Sequence, residues 1–337
     1  MNKVCPTWLK LLPLIPLLTS LLACTPMIHP AGPAISSGQL LDSVFITRDG
    51  THLPLKTWNT PQTKLKSVII AVHGFNDYSN FFQQAGTYFS QHQIISYAYD
   101  QRGFGGSPNR GLWAGTETYI ADLNCFIQLV KNKHPYVPIY LLGVSMGAAI
   151  VISTISQSSH LAVHGIILAA PAVWARQTMP WYQNGLLWTL SHTVPWMTLT
   201  GQELEIMPSD NIEMLKAFSR DPLVIKATRV ESIYGLVNLM DQAFSDAQLI
   251  STNSLLLYGE KDEVIPKEPT YQFLNNLPDT PTKHISIAFY KNGYHMLLRD
   301  LNASIIWNDI DFWINSFSPP LPSGADIRAQ QILNENN

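Results

Sequence analysis

The chain has 337 residues, 46% of them hydrophobic and 13% charged, with a formal net charge of −3. That charged fraction is about half the roughly 25% of an average soluble domain, which excludes a disordered polyelectrolyte. No cluster of Lys and Arg supplies the footprint of a nucleic-acid binder. The cysteines Cys5, Cys24 and Cys125 form neither a disulfide framework nor the spacing of a zinc site.

The chain opens with Lys3 and Lys10 around the start of an apolar run over residues 11–22, closing on Leu21-Leu22-Ala23-Cys24. Such a run is too short for a bilayer, which takes about 20 residues, and reads as a secretory signal. Its end resembles the lipobox of bacterial lipoproteins. By that resemblance residues 1–23 are removed, Cys24 becomes a lipid-anchored N-terminus, and Thr25 after it favours the outer membrane, facing the periplasm. Residues 24–41, rich in Pro, Ala, Gly and Ser without periodicity, are expected to be a flexible tether. Residues 318–337 begin with a proline-rich stretch, finish polar, and are expected to carry little order.

Between these ends, residues 42–317 alternate β-branched apolar runs with helix-length segments. An antiparallel hairpin is expected over residues 44–58, turning at Arg48-Asp49-Gly50. Buried strands follow at 68–72, 94–99, 139–142, 166–169, 254–258 and 285–289, with helices such as 118–133 and 147–157 between them. Strands alternating with helices imply an α/β domain whose mostly parallel sheet is covered on both faces. Cys125, alone in a predicted helix, reads as a small buried hydrophobe.

The chemistry concentrates where strands end. Gly143-Val144-Ser145-Met146-Gly147 lies directly between a predicted strand and a predicted helix, the setting of a nucleophile elbow. A serine nucleophile needs a base and the base an orienting carboxylate, in the chain order Ser, Asp or Glu, His. His284 and His295 follow the late strands; His284 begins a strand and reads as a surface residue, whereas His295 sits in the loop after residues 285–290. Asp262, in Gly259-Glu260-Lys261-Asp262-Glu263, is preferred as the carboxylate over Glu260 and Glu263 because its short side chain can be held rigidly against an imidazole. The oxyanion donors are expected to be the backbone N–H groups of Met146 and of Phe75, in His73-Gly74-Phe75. His73 reads as a brace for that loop.

Over about residues 42–316 the chain resembles the monoacylglycerol lipase and lysophospholipase branch of the α/β-hydrolase superfamily, which includes serine aminopeptidases of the S33 type. The resemblance rests on His73-Gly74-Phe75, Tyr99-Asp100-Gln101-Arg102-Gly103-Phe104-Gly105-Gly106-Ser107, the Gly143 to Gly147 elbow, Asp221-Pro222-Leu223, the Gly259 to Asp262 turn and Gly293-Tyr294-His295. It implies the α/β-hydrolase fold, a triad of Ser145, Asp262 and His295, and a structural role for the Asp100 loop. The chain departs from the branch at Asn76-Asp77-Tyr78, where family members often carry Gly-Glu-His, which puts recognition of a glycerol group in question.

About eighty residues separate the sixth expected strand from the next, far more than a βα connection needs, so a helical cap is expected at about residues 172–250. Residues 172–202 hold one charged side chain, Arg176, together with Trp174, Trp181, Trp188 and Trp196 at spacings of 7, 7 and 8, close to one helix face. An apolar entrance lined by Trp174, Trp181 and Trp188 would take an acyl chain and meet a bilayer. The expected activity is therefore hydrolysis of single-chain acyl esters, with lipid ester and membrane as partners. No metal or cofactor is expected, since His-Glu-x-x-His, a phosphate loop and a dinucleotide fingerprint are all missing. Two other readings are a serine aminopeptidase, whose substrate ammonium Glu203 or Glu205 would hold, and a non-catalytic acyl-chain-binding lipoprotein.

Overall fold

The computed structural model describes residues 25–61, 64–158, 161–201, 205–278, 284–317 and 319–335. The signal segment, Cys24 and Glu203 lie outside them. Apolar runs with no polar face must pair on both edges and be covered on both sides, and this chain builds one large sheet that way. An antiparallel meander starts it: β1 (Gln39–Leu40), β2 (Val44–Ile46) and β3 (His52–Trp58), the expected hairpin pairing Val44 with Pro54. Then come β4 (Ser67–Val72), β5 (Ile94–Tyr99), β6 (Ile139–Val144) and β7 (Gly165–Ala169). Beyond a cap whose own ribbon is β8 (Thr198–Thr200) and β9 (Ala227–Arg229) lie β10 (Ser254–Gly259) and β11 (Ile285–Tyr290).

Among the described residues the main sheet has nine strands in the order β1-β2-β3-β5-β4-β6-β7-β10-β11, parallel from β5 onward. The cap follows β7, the seventh strand by count, because the two-residue β1 is invisible to periodicity. Alternation along each strand divides the core in two. Val68, Ile70 and Val72 of β4 face α2 (Thr116–Lys133) and α3 (Met146–Gln157). Ile69 and Ala71 face α1 (Gln83–Gln91) and, toward the chain's end, α8 (Ala303–Ser316). Cys125 is a buried thiol on α2.

In the cap, α4 (Trp181–Thr193) and α5 (Ile212–Arg220) flank the ribbon, and α6 (Val230–Asp246) returns the chain to β10. The cap is narrower than expected: α6 buries Val237, Leu239, Met240, Ala243 and Phe244 in the main core and belongs to the sheet's covering layer. After β10, α7 (Lys267–Asn275) leads to β11.

Both chain ends differ from expectation. Residues 25–38 are no free tether: His29 N donates to Trp113 O at 2.8 Å, Ile35 N to Arg48 O at 2.8 Å and Met27 N to Glu231 Oε2 at 3.2 Å. The expected unordered tail contains α9 (Ala325–Glu335), which buries Ala325 and Ala329 and pairs Arg328 with Glu260. Trp113, Glu231 and Glu260, which hold these ends, lie far away in sequence, so local composition carries no trace of them.

One buried network joins the meander to α2. Arg102, from the loop after β5, donates Nε to Asp122 Oδ2 at 2.6 Å and Nη2 to Asp49 Oδ1 at 2.8 Å, and also reaches Thr47 and Thr51. Burial alone would raise the Asp49 carboxyl, but the bonds from Arg102 and Thr47 hold it well below the usual carboxylate range.

Candidate active site

Ser145 sits between β6 and α3 with φ 53° and ψ −117°, a left-handed conformation that costs a non-glycine residue about 1–3 kcal/mol. The turn is over-determined. A Cβ on Gly147 would lie 2.1 Å from Val72 O, one on Gly143 would lie 2.5 Å from Ala148 Cα, and Ser145 N donates to Ala169 O at 3.0 Å. The serine is thereby held at the carboxyl end of the sheet, its side chain partly exposed at the N-terminus of α3, where helix dipole and free amides favour negative charge.

Asp262 and His295 follow β10 and β11, and one close crossing joins their loops. A Cβ on Gly259 would meet Gly293 O at 2.4 Å, and Lys261 N donates to that same carbonyl at 3.0 Å. Asp262 is buried and oriented by its own turn: Oδ1 accepts from Val264 N at 2.8 Å and Ile265 N at 2.9 Å. Oδ2 is left to face His295 Nδ1 at 2.8 Å. Because a carboxylate only accepts, the proton of a neutral imidazole must sit on Nδ1 and the lone pair on Nε2. Among the described residues no hydrogen bond joins Ser145 Oγ to His295; such contacts commonly tighten only when substrate arrives. The rival carboxylates are occupied elsewhere, Glu260 by Arg328 and Glu263 by Met207 N. His284 is exposed, as expected.

The His73-Gly74-Phe75 loop meets the serine from the other side. A Cβ on Gly74 would lie 3.3 Å from Ser145 Cβ and 4.0 Å from its Oγ, so the segment that carries the Phe75 amide passes beside the serine. Neither Phe75 N nor Met146 N donates a hydrogen bond among the described residues. The Phe75 ring meets Phe104 and Trp113 edge-on at 5.6 and 6.3 Å. His73 is fully buried and braces the loop: Nε2 accepts from Gln101 N at 2.9 Å, so Nδ1 is the protonated nitrogen facing Gly74 O at 2.8 Å. Burial pushes its pKa down. Asp100 receives Ser79 N and Gly106 N at 2.9 and 2.8 Å, holding the loop after β5 in place.

The cap is stitched to these loops by bonds that the sequence does not disclose, several of them from residues already noted for other reasons. Asn76 donates to Thr228 Oγ1 at 2.7 Å and Tyr78 OH to Asp221 Oδ2 at 2.7 Å. On the histidine side, Met296 N donates to Pro208 O at 2.8 Å, and Ser209 Oγ to Asp300 Oδ1 at 2.6 Å. Asp300, its carboxyl raised by burial, also accepts Tyr294 N at 2.8 Å, next to His295. The bonds of Asn76, Tyr78 and Ser209 span 152, 143 and 91 positions, and nothing local pairs their ends.

The tryptophans divide. Trp174 packs inward against the main core, whereas Trp181, Trp188 and Trp196 are 84%, 50% and 55% exposed. Trp181 and Trp188 thus present their rings to solvent on the cap, while Trp174, expected beside them at an apolar entrance, turns to the core. Trp174 and Trp196 lie outside α4, so the expected common helix face holds only for Trp181 and Trp188, and the spacing could not say which way it turns. Glu205 is exposed.

The family model described as "Serine aminopeptidase, S33" matches residues 63–302. The monoacylglycerol lipase of Mycolicibacterium smegmatis is 22% identical over 272 residues, covering 79% of this chain and 94% of its own. The human monoglyceride lipase is 23% identical over 278 residues, covering 80% and 89%. Among solved structures, the Paleococcus ferrophilus monoacylglycerol lipase superposes with a TM-score of 0.64 at 22% identity, covering 79% of this chain and 99% of that one. A soluble variant of monoglyceride lipase from Saccharomyces cerevisiae, in complex with a substrate analog, gives 0.66 at 16% identity, covering 88% and 100%. With the sheet order, the elbow and the family match together, the chain belongs to the S33 serine aminopeptidase family of α/β-hydrolases.

Proposed function

We propose that this chain is a serine ester hydrolase that cleaves single-chain acyl esters, of the monoacylglycerol or lysophospholipid type, through an acyl-enzyme on Ser145. The observation that carries the reading is the 2.8 Å bond from His295 Nδ1 to a carboxylate whose other oxygen is already fixed by two amides. That arrangement leaves Nε2 unprotonated to take the Ser145 proton as Oγ attacks the acyl carbon. The developing oxyanion meets the amides of Phe75 and Met146. His295 then returns the proton to the departing alcohol, and water repeats the sequence on the acyl-enzyme, releasing a fatty acid. Relatives named monoacylglycerol and monoglyceride lipases support an ester substrate.

The reading extends to location: a lipid-anchored protein of the bacterial cell envelope, tethered at Cys24 to the outer membrane on its periplasmic side. Its support is the leader sequence, together with an α4 that lacks any Asp, Glu, Lys or Arg and exposes Trp181, Tyr182, Leu186 and Trp188. Aromatic and apolar side chains on an uncharged helix suit a lipid interface. Pro26 and Met27 line a cavity with His192 of α4 and Tyr234 of α6, so the described start of the chain lies beside that same helix.

The family description favours a second reading, a serine aminopeptidase. It needs an acid near the scissile group to hold an ammonium, and Glu205 is exposed. A turnover panel of monoacylglycerols, lysophospholipids, simple esters of graded chain length and aminoacyl-arylamides, with Ser145→Ala as blank, tests both readings. Fluorophosphonate labelling of the wild type that is lost in Ser145→Ala is expected, with long-chain esters the better substrates. Turnover confined to arylamides, or falling as the acyl chain lengthens, overturns the lipid reading. No turnover and no labelling leave only an acyl-binding lipoprotein.

A further inference from the structure

We propose that Arg299 is a positioning residue that binds the loop carrying the Phe75 amide to the loop carrying His295, through its ion pair with Asp77. The inference rests on the reading of Ser145, Asp262 and His295 as the working site.

Asp77 lies two residues past Phe75, and Arg299 closes the short helix Leu297–Arg299 just past His295. Arg299 Nη2 donates to Asp77 Oδ2 at 2.5 Å, and the two side chains are 15% and 7% exposed. Each partner is held from behind. Asp77 Oδ1 accepts Tyr78 N at 2.9 Å, so the carboxylate cannot turn without releasing its own loop. The guanidinium lies 5.1 Å from the Phe218 ring centroid, and the Arg299 carbonyl accepts Asn211 Nδ2 at 3.0 Å. The pair borders a cavity of about 240 Å³ between α5 and the loop, lined also by Tyr78, Phe218 and Asp221.

The neighbours of Asp77 have a different attachment. Asn76 and Tyr78 tie the same loop to Thr228 and Asp221 of the cap. Asp77 bypasses the cap side chains and reaches the histidine loop directly. The loop of the oxyanion donor and the loop of the general base are therefore joined directly by the Arg299–Asp77 pair, in addition to their separate bonds to the cap. The geometry matters because stabilisation by a backbone amide depends on sub-ångström placement, and a displacement of about 1 Å can cost about 100-fold in rate.

The test uses the chain with Arg299→Met, Asp77→Asn, the double variant and Arg299→Lys, of which Asp77→Asn is isosteric and Arg299→Lys keeps the charge. Measured are kcat and KM on a soluble chromogenic ester, the rate of fluorophosphonate labelling, and melting temperature. Each single neutral variant is expected to lose about 10- to 100-fold in kcat with KM within about twofold, because transition-state stabilisation and not ground-state binding is lost. The double variant is expected to be no worse than the poorer single one. Only one nitrogen of the fork is used, so Arg299→Lys is expected to keep kcat within about threefold of wild type. Retained kcat in both neutral variants, additive losses, or a change confined to KM overturns the coupling. If Arg299→Met fails to fold, Asp77→Asn and Arg299→Lys decide it. A wild type that neither labels nor turns over ester overturns the functional reading and the coupling with it; an active, labelled wild type with unaffected variants overturns the coupling alone.

Discussion

Asp262→Asn is the sharpest probe of the site, because the surrounding amides dictate how the amide side chain must sit. Val264 N and Ile265 N both donate to Oδ1, at 2.8 and 2.9 Å. The carbonyl oxygen of the new side chain must remain there, since turning its NH2 group toward two donors would leave all of them unsatisfied in a buried site. The NH2 group then faces His295 Nδ1 at the position of Oδ2, 2.8 Å away. Donor meets donor unless the imidazole moves its proton to Nε2, and that tautomer cannot accept the proton of Ser145. A wrong tautomer in an otherwise intact triad costs about 10⁴ in kcat, which at 1.36 kcal/mol per decade is about 5.4 kcal/mol of transition-state stabilisation. The assay is kcat on a soluble chromogenic ester beside a circular-dichroism melt, with Glu260→Gln as control, because Glu260 is bound to Arg328. Asp262→Asn is expected to melt near wild type with kcat down about 10⁴-fold, and Glu260→Gln to stay within about twofold. An Asp262→Asn chain that retains a tenth or so of wild-type kcat, or a Glu260→Gln chain that loses as much, refutes the assignment.

Other consequences lie outside the triad. Arg102→Met strands Asp49 and Asp122, whose side chains are 6% and 7% exposed; breaking a buried pair this way costs about 3–5 kcal/mol, a fall in Tm of roughly 6–20 °C, and an unchanged calorimetric Tm would refute the network's role. Burial keeps His73 neutral with its pKa below 6.5, so below about pH 6.5 the unfolded chain binds a proton that the native state refuses. Its contribution to stability is therefore full above that pH and declines as pH falls. Thermal melts between about pH 8 and 5.5 should show a smaller drop for His73→Gln than for wild type, and equal slopes would count against the assignment. Ending the chain after Gly324 removes α9 with buried Ala325, Ala329 and the Arg328 pair, so Tm should fall by several degrees in a melt; a truly unordered tail would leave it unchanged.

Much of this protein is legible along the chain. Strands buried on both faces are continuous apolar runs, so β4, β6, β7 and β10 announce themselves. Ser145 could be named from its Gly-x-Ser-x-Gly setting between strand and helix, and Asp262 and His295 from their loops after the late strands in the chain order a serine nucleophile requires. Tertiary structure alone decided the rest. The docked segment before β1 and the final helix are held chiefly by Trp113, Glu231 and Glu260, groups remote in sequence from the segments they hold. Arg299 and Asp77 stand 222 positions apart. The tryptophan spacing suggests one side of a helix, but only Trp181 and Trp188 of the four lie on α4; Trp174 precedes it and packs on the core, while Trp181 meets solvent. A local pattern encodes what a segment can bury or bend into; which distant group completes its hydrogen bonds, and which side meets water, is determined only when the whole chain has closed around it.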